Sequence, residues 1–248
     1  MGVGDGNEKR RTLKSVCGKC ESEVMHWVHY AAAGEIPSFP PGLDDAVPDF
    51  KVNKRIFIHD GSISELECDV ITLSCSKSIA PTGMKAVYYQ AGPELSRTAR
   101  QLGPKQVTEL VETEGFELPS YNVFHIVVPP TCHTTTEFEQ LEQCYLNILN
   151  TLVKHGYKSI AMPCLGSGAT TQTLKDSCVN VQLRTLRRWM DTIVDGIPNA
   201  KRVTTIILCR WIDRDINALD RLLHKWFPTD PPKVTQLKKT TTNKKKKK

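Results

Sequence analysis

Gly166-Ser167-Gly168 stands where an apolar run, Ser159 to Pro163, gives way to a helical pattern. A glycine turn between a strand and a helix leaves several backbone N–H groups unpaired at the positive end of the helix dipole, where a phosphate or another anion can sit. The same residues also serve any chain that has only to turn from sheet to helix, and a lone G-x-G does not separate the two. A second constellation is Cys17-x2-Cys20-x5-His26-x2-His29, four side chains of the kind that hold zinc, with the histidines three apart and able to share a helix face. The gap between its pairs is shorter than in common zinc fingers. Its alternative is a thiol pair beside an amphipathic anchor in which Val24, Trp27, Val28 and Tyr30 dock on the domain. His125, inside an apolar run, reads as a hydrogen-bonded structural residue. Cys164 has no histidine beside it in the sequence and reads as an inert thiol. Arg184, Arg187 and Arg188 crowd one helix and read as a solvated face.

The elements that must position these residues follow from periodicity. Strand-like runs rich in Val and Ile lie at Arg55 to His59, Asp69 to Ser74, Asn122 to Val128, Ser159 to Met162 and Val203 to Cys209. Between them Phe138, Leu141, Tyr145, Ile148, Leu149 and Leu152 recur at helical spacing, with Thr136 and Glu139 as a capping box. A second helix carries Leu174, Cys178, Val181, Thr185 and Trp189, and a last one runs from Asp213 to Phe227. Near-continuous apolar strands alternating with amphipathic helices predict an α/β sheet covered on both faces, with ligands at the carboxyl ends of the strands. Gly166 to Gly168 lies at such an end.

The chain of 248 residues is 40% apolar and 24% charged, which fits one globular domain with tails. Residues 1–50 are polar and then rich in proline and read as an extension, 51–228 as the domain, and 229–248 as a disordered lysine-rich tail. The formal charge of +6 comes from that tail: its eight lysines from Lys233 onward leave −2 on residues 1–232. The body therefore has no net basic footprint for nucleic acid. Nine scattered cysteines, no apolar signal core and no run long enough to span a membrane predict an intracellular protein, cytoplasmic or nuclear, with reduced thiols.

Over roughly residues 51–228 these pieces resemble the macrodomain family. The frame of its opening Gly-Asp-Ile-Thr and its Val-Asp-Ala-Ile-Val-Asn-Ala-Ala-Asn strand fits GSISELECDVITLSCS at Gly61 to Ser76. Its Ala-Gly-Pro helix end fits AVYYQAGPEL at Ala86 to Leu95. Leu102-Gly103, TEGFELP at Thr113 to Pro119, VFHIVVP at Val123 to Pro129 and Cys144-Tyr145 continue the match up to the Ser159–Ala169 strand and loop. The LRTLRRW run at Leu183 to Trp189 and the Trp226-Phe227-Pro228 ending resemble a branch whose members continue into a Sec14-like lipid-binding domain. This chain ends instead in NKKKKK, as reading through a polyadenylation signal would encode, so a truncated transcript is expected.

The resemblance implies a three-layer α/β/α fold with a mixed central sheet, ADP-ribose as ligand and no cofactor. It places ligand contacts on Ser62, Ile63, Gly83, Gly166, Ser167, Gly168 and Ala169. The family's adenine-binding Asp falls on Ser62, which forfeits ~1 to 3 kcal/mol of binding. The first phosphate loop is reduced to Ala80-Pro81-Thr82-Gly83, and Pro81 has no N–H to offer. Family catalytic positions fall on Leu73, Ser76 and Met84, none of them a general base. The expected function is a divergent module that binds ADP-ribose, a related nucleotide or an ADP-ribosylated protein without hydrolysing it. The alternatives are a protein-interaction scaffold that has lost nucleotide binding, and RNA or anionic-surface binding through the lysine-rich tail.

Overall fold

In the computed structural model of the chain, residues 24–26, 48–79, 84–169, 172–210 and 216–229 are described. The strands are β1 (Val24–His26), β2 (Ile56–Asp60), β3 (Val70–Cys75), β4 (Leu110–Glu114), β5 (Asn122–Val127), β6 (Ser159–Pro163), β7 (Ile193–Val194), β8 (Ile197–Pro198) and β9 (Thr205–Arg210). The helices are α1 (Phe50–Asn53), α2 (Lys85–Gln90), α3 (Pro93–Gln101), α4 (Thr135–Lys154), α5 (Gln172–Asp191) and α6 (Ile216–Trp226). Seven strands form one mixed sheet in the order β1-β2-β9-β6-β3-β5-β4, in which β1 and β4 are the antiparallel edges. β7 and β8 form a separate small hairpin.

Alternate residues of the central strands feed two different cores, which is why the strands read as continuous apolar runs. Ile56, Ile58, Phe124, Ile126, Ile160, Met162, Ile206 and Leu208 pack with apolar residues of α4, α5 and α6. Ile71, Leu73, Cys75, Val123, Val127, Ala161 and Ile207 face the other layer, built from α2, α3 and the turn Ile63–Glu65. The fold is thus a three-layer α/β/α sandwich, as the resemblance implies.

Local signals explain most element ends, with two corrections. The capping box of α4 is formed by Thr134 and Glu137, not by Thr136 and Glu139. The Thr134 hydroxyl accepts from the Glu137 N–H at 3.3 Å, and the Glu137 carboxylate accepts from the Thr134 N–H at 3.1 Å. The three arginines of α5 are not one solvated face. Only Arg188 is exposed. Arg187 is buried, donating to Asp191 at 2.8 Å and to the Trp226 carbonyl at 3.0 Å. Arg184 is half-buried and pairs with Glu142 of α4 at 2.7 Å. Helical twist carries residue 187 toward α6 while 188 turns outward.

Candidate functional site at the strand carboxyl ends

β2, β9, β6, β3 and β5 run parallel, so their carboxyl ends share one edge of the sheet, and the loops that follow them form its crest. The Gly166 loop leaves β6 there, and Ser76 follows the neighbouring β3.

The glycine loop is held from below at three points. The Leu165 N–H donates to the Tyr145 hydroxyl at 2.8 Å, the Ser167 hydroxyl donates to the Cys164 carbonyl at 2.9 Å, and the Gln182 amide donates to the Pro163 carbonyl at 3.1 Å. Tyr145 is fully buried, and burial pushes its phenol well above the ordinary range, so it stays a neutral support. Gly166 has φ +76°, and a Cβ there would lie 2.7 Å from the Cys132 sulfur. Both the conformation and the contact require glycine. Ser167, Gly168 and Ala169 then form a short 3-10 turn just ahead of the twenty-residue α5. Gly168 is exposed, and a Cβ on it would meet nothing within 4 Å. Its bareness is not imposed by packing.

The other expected contacts are spread along the crest. Ser62 is half-buried, its hydroxyl 2.6 Å from that of Ser64, and it opens the turn Ile63–Glu65. The Ile63 side chain belongs to the core, which leaves its backbone as the part that can meet a ligand. Gly83 lies outside the described residues, with Ala80 to Thr82 of the same loop. Of the positions that the resemblance marks as catalytic, Leu73 is fully buried. Ser76 is half-buried with its hydroxyl 3.0 Å from Ser78, and Met84 packs on the core at the start of α2. Among the possible zinc ligands, Cys17, Cys20 and His29 lie outside the described residues, and of His26 only the backbone in β1 is described.

Three features of the site escape sequence reasoning. Arg210, the last residue of β9, is buried and forms ion pairs with Asp60 at the end of β2 and with Asp220 of α6, the latter at 3.1 Å. A charge closing an apolar strand was its only signal. Cys132 supports Gly166 from a loop whose sequence carries no mark of it. His125 is structural, as its setting implies, but its partners come from three other elements. Its Nε2 lies 2.9 Å from the Thr113 hydroxyl, and its Nδ1 lies 3.2 Å from the Tyr88 hydroxyl and 3.8 Å from the Cys75 sulfur. Burial pulls the imidazole down to about 4. A separate groove of about 690 Å³ lies between α4, α5 and α6, where Arg184 faces Glu142 and Arg221 faces Asp176 at 2.6 Å. It contains none of the expected ligand contacts.

The Macro domain family model matches residues 83–179. ADP-ribose glycohydrolase MACROD1 of Rattus norvegicus is 28% identical over 237 residues, covering 90% of this chain and 89% of that protein. The crystal structure of the macro domain of ganglioside induced differentiation associated protein 2 superposes with a TM-score of 0.64 at 19% identity, over 75% of this chain and 90% of that one. A Trypanosoma brucei macrodomain in complex with ADP-ribose superposes with a TM-score of 0.62 at 20% identity, over 72% of this chain and 73% of that one. Over the loop-bearing segment the chain is thus similar to the macrodomain family, and it shares the fold of the solved macrodomains.

Proposed function

We propose that this chain binds ADP-ribose, free or attached to a protein, chiefly through the Gly166–Ala169 loop, and does not hydrolyse it. One observation carries the reading: the loop is kept as bare backbone at the carboxyl end of β6, fixed by Tyr145, Ser167 and Gln182 and packed so that Gly166 admits no side chain. Preorganised N–H groups at a helix start suit a diphosphate. The absence of hydrolysis rests on Leu73, Ser76 and Met84, which supply an apolar, a hydroxyl and a thioether side chain where a general base would be needed.

Hydrolysis is the second reading, favoured by the 28% identity to a protein named as an ADP-ribose glycohydrolase. Titration calorimetry with ADP-ribose should give saturable heat, and a mono-ADP-ribosylated protein should survive incubation with the chain. No heat and no thermal shift at millimolar ligand would end the binding reading, and released ADP-ribose would end the non-hydrolytic one. Restoring a carboxylate at the base-recognition position supplies a gain-of-function check. Ser62→Asp should tighten ADP-ribose binding by about tenfold or more.

A further inference from the structure

The hairpin of β7 and β8 lies at the far end of the sheet from the glycine loop and exposes apolar side chains on both of its faces. Its strands are joined by Asp195-Gly196, at φ +52° and +72°, as a tight two-residue turn requires. Val194 pairs with Ile197 and Ile193 with Pro198, so one row points to each face. A hairpin packed on its domain would bury one of these rows. Here Ile193 is 64%, Ile197 46% and Val194 43% exposed. The hairpin is held firmly at its base. The Thr192 N–H donates to the Arg188 carbonyl at 3.1 Å, the Asn199 N–H donates to the Thr192 carbonyl at 2.9 Å, and the Arg202 guanidinium donates to the Val194 carbonyl at 2.7 Å. Cations stand around it. Arg188 precedes β7 and Lys201 follows β8, and both are exposed. Exposed Lys158, just ahead of β6, donates to the Arg202 carbonyl at 3.3 Å. Arg55 donates to the Ala200 carbonyl and, at 3.0 Å, to that of Lys51, which brings exposed Lys51 to the same end. The acids next to these cations are engaged. Asp69 accepts from the Lys158 and Ser159 N–H groups at 2.7 and 2.8 Å, Asp49 accepts from the first turn of α1, Asp191 pairs with Arg187 and Asp195 faces Arg202 at 3.7 Å.

We infer that this end of the domain docks on an anionic lipid bilayer, with Ile193, Val194 and Ile197 sunk between the head groups and the surrounding cations set against the lipid phosphates and carboxylates. Aliphatic side chains gain free energy by leaving water, and a ring of cations around them selects a partner that is negative at its surface and apolar just beneath it. Neither signal suffices alone; insertion and charge act together. RNA would meet the cations but give the aliphatic residues nothing, because base stacking calls for aromatic rings. Protein interfaces are depleted in lysine, whereas Lys51, Lys158 and Lys201 border this hairpin. β2, β6 and β9 run parallel from this end to the crest, so a docked domain holds the Gly166 loop away from the bilayer and open to its ligand. The inference holds whether or not ADP-ribose binds there.

The test is co-sedimentation of the full-length chain with phosphatidylcholine vesicles in which about one lipid in four is phosphatidylserine, beside vesicles of phosphatidylcholine alone. The wild type is expected to pellet with the anionic vesicles only. The double variant Ile193→Asp/Ile197→Asp should bind them roughly tenfold more weakly with an unchanged urea midpoint, since both sites are exposed. Hydrogen exchange on the wild type reads the face without any variant: amides of residues 192–198 should slow when the anionic vesicles are added. Both proteins carry the lysine-rich tail, so equal binding by the double variant assigns the contact to the tail and overturns the inference. A wild type that does not pellet overturns it as well, as does unchanged exchange at residues 192–198 in the bound chain. A solution dimer that the double variant loses makes a second copy the occupant instead, and retention on RNA that falls with the same two substitutions makes it a polyanion; each of these outcomes overturns the bilayer.

Discussion

At Gly166 the backbone conformation and the neighbouring sulfur make the same demand, whereas at Gly168 neither makes any. The two glycines should therefore separate stability from ligand binding. Gly166→Ala forces a side chain into the left-handed region and onto Cys132, and should cost about 2 to 4 kcal/mol in urea unfolding. Gly168→Asp should leave the urea midpoint nearly unchanged while abolishing ADP-ribose heat, because the added carboxylate stands where a phosphate would approach. Unchanged binding in Gly168→Asp would reduce the loop to a turn. His125 sets a pH dependence of its own. Its folded value, about 4, lies below the ordinary 6.5, so the unfolded chain takes up the proton first as pH falls. The stability it supports is whole above about 6.5, is lost as pH drops from there to about 4, and amounts to at most about 3 kcal/mol. His125→Asn should flatten that part of the stability profile, and a variant as steep as the wild type would show that other groups set the slope.

At the scale of elements, five strands and the two long helices were legible because each has an apolar face or two that burial must satisfy. β4 was not: Leu110-Val111-Glu112-Thr113-Glu114 carries charge at an antiparallel edge, so its pattern resembles a loop. The α4 cap was misread by two residues because Thr134, Thr135 and Thr136 are consecutive, and only the chain direction after β5 selects Thr134. Thr134→Ala should cost about 1 kcal/mol of stability, and Thr136→Ala, at an exposed site, much less. Arg187 ties α5 to the end of α6 through the Trp226 carbonyl and lies 6.0 Å from the Phe227 ring centre. Arg187→Met keeps the packing volume but removes the charged hydrogen bonds, and a loss of about 2 kcal/mol is expected in chemical denaturation.

For the whole molecule, charge is divided as composition suggests, with the lysine excess beyond residue 232 and a slightly acidic body. Deleting residues 233–248 should leave ADP-ribose binding unchanged and remove any salt-dependent retention on RNA or heparin. Retention that survives the deletion would place a basic surface on the domain itself. The sequence by itself determined the layered class, the strands, the long helices and the position of the glycine loop, because periodic burial and strand-to-helix turns are local patterns. It also showed that Ser62, Leu73 and Ser76 stand at positions that the resemblance marks as ligand-binding or catalytic, since that is residue identity alone. Only the tertiary structure brought Cys132 under Gly166, closed Arg210 between Asp60 and Asp220, and gave His125 its partners. Those contacts join segments far apart in the chain, and no local pattern encodes which of them the sheet order brings together.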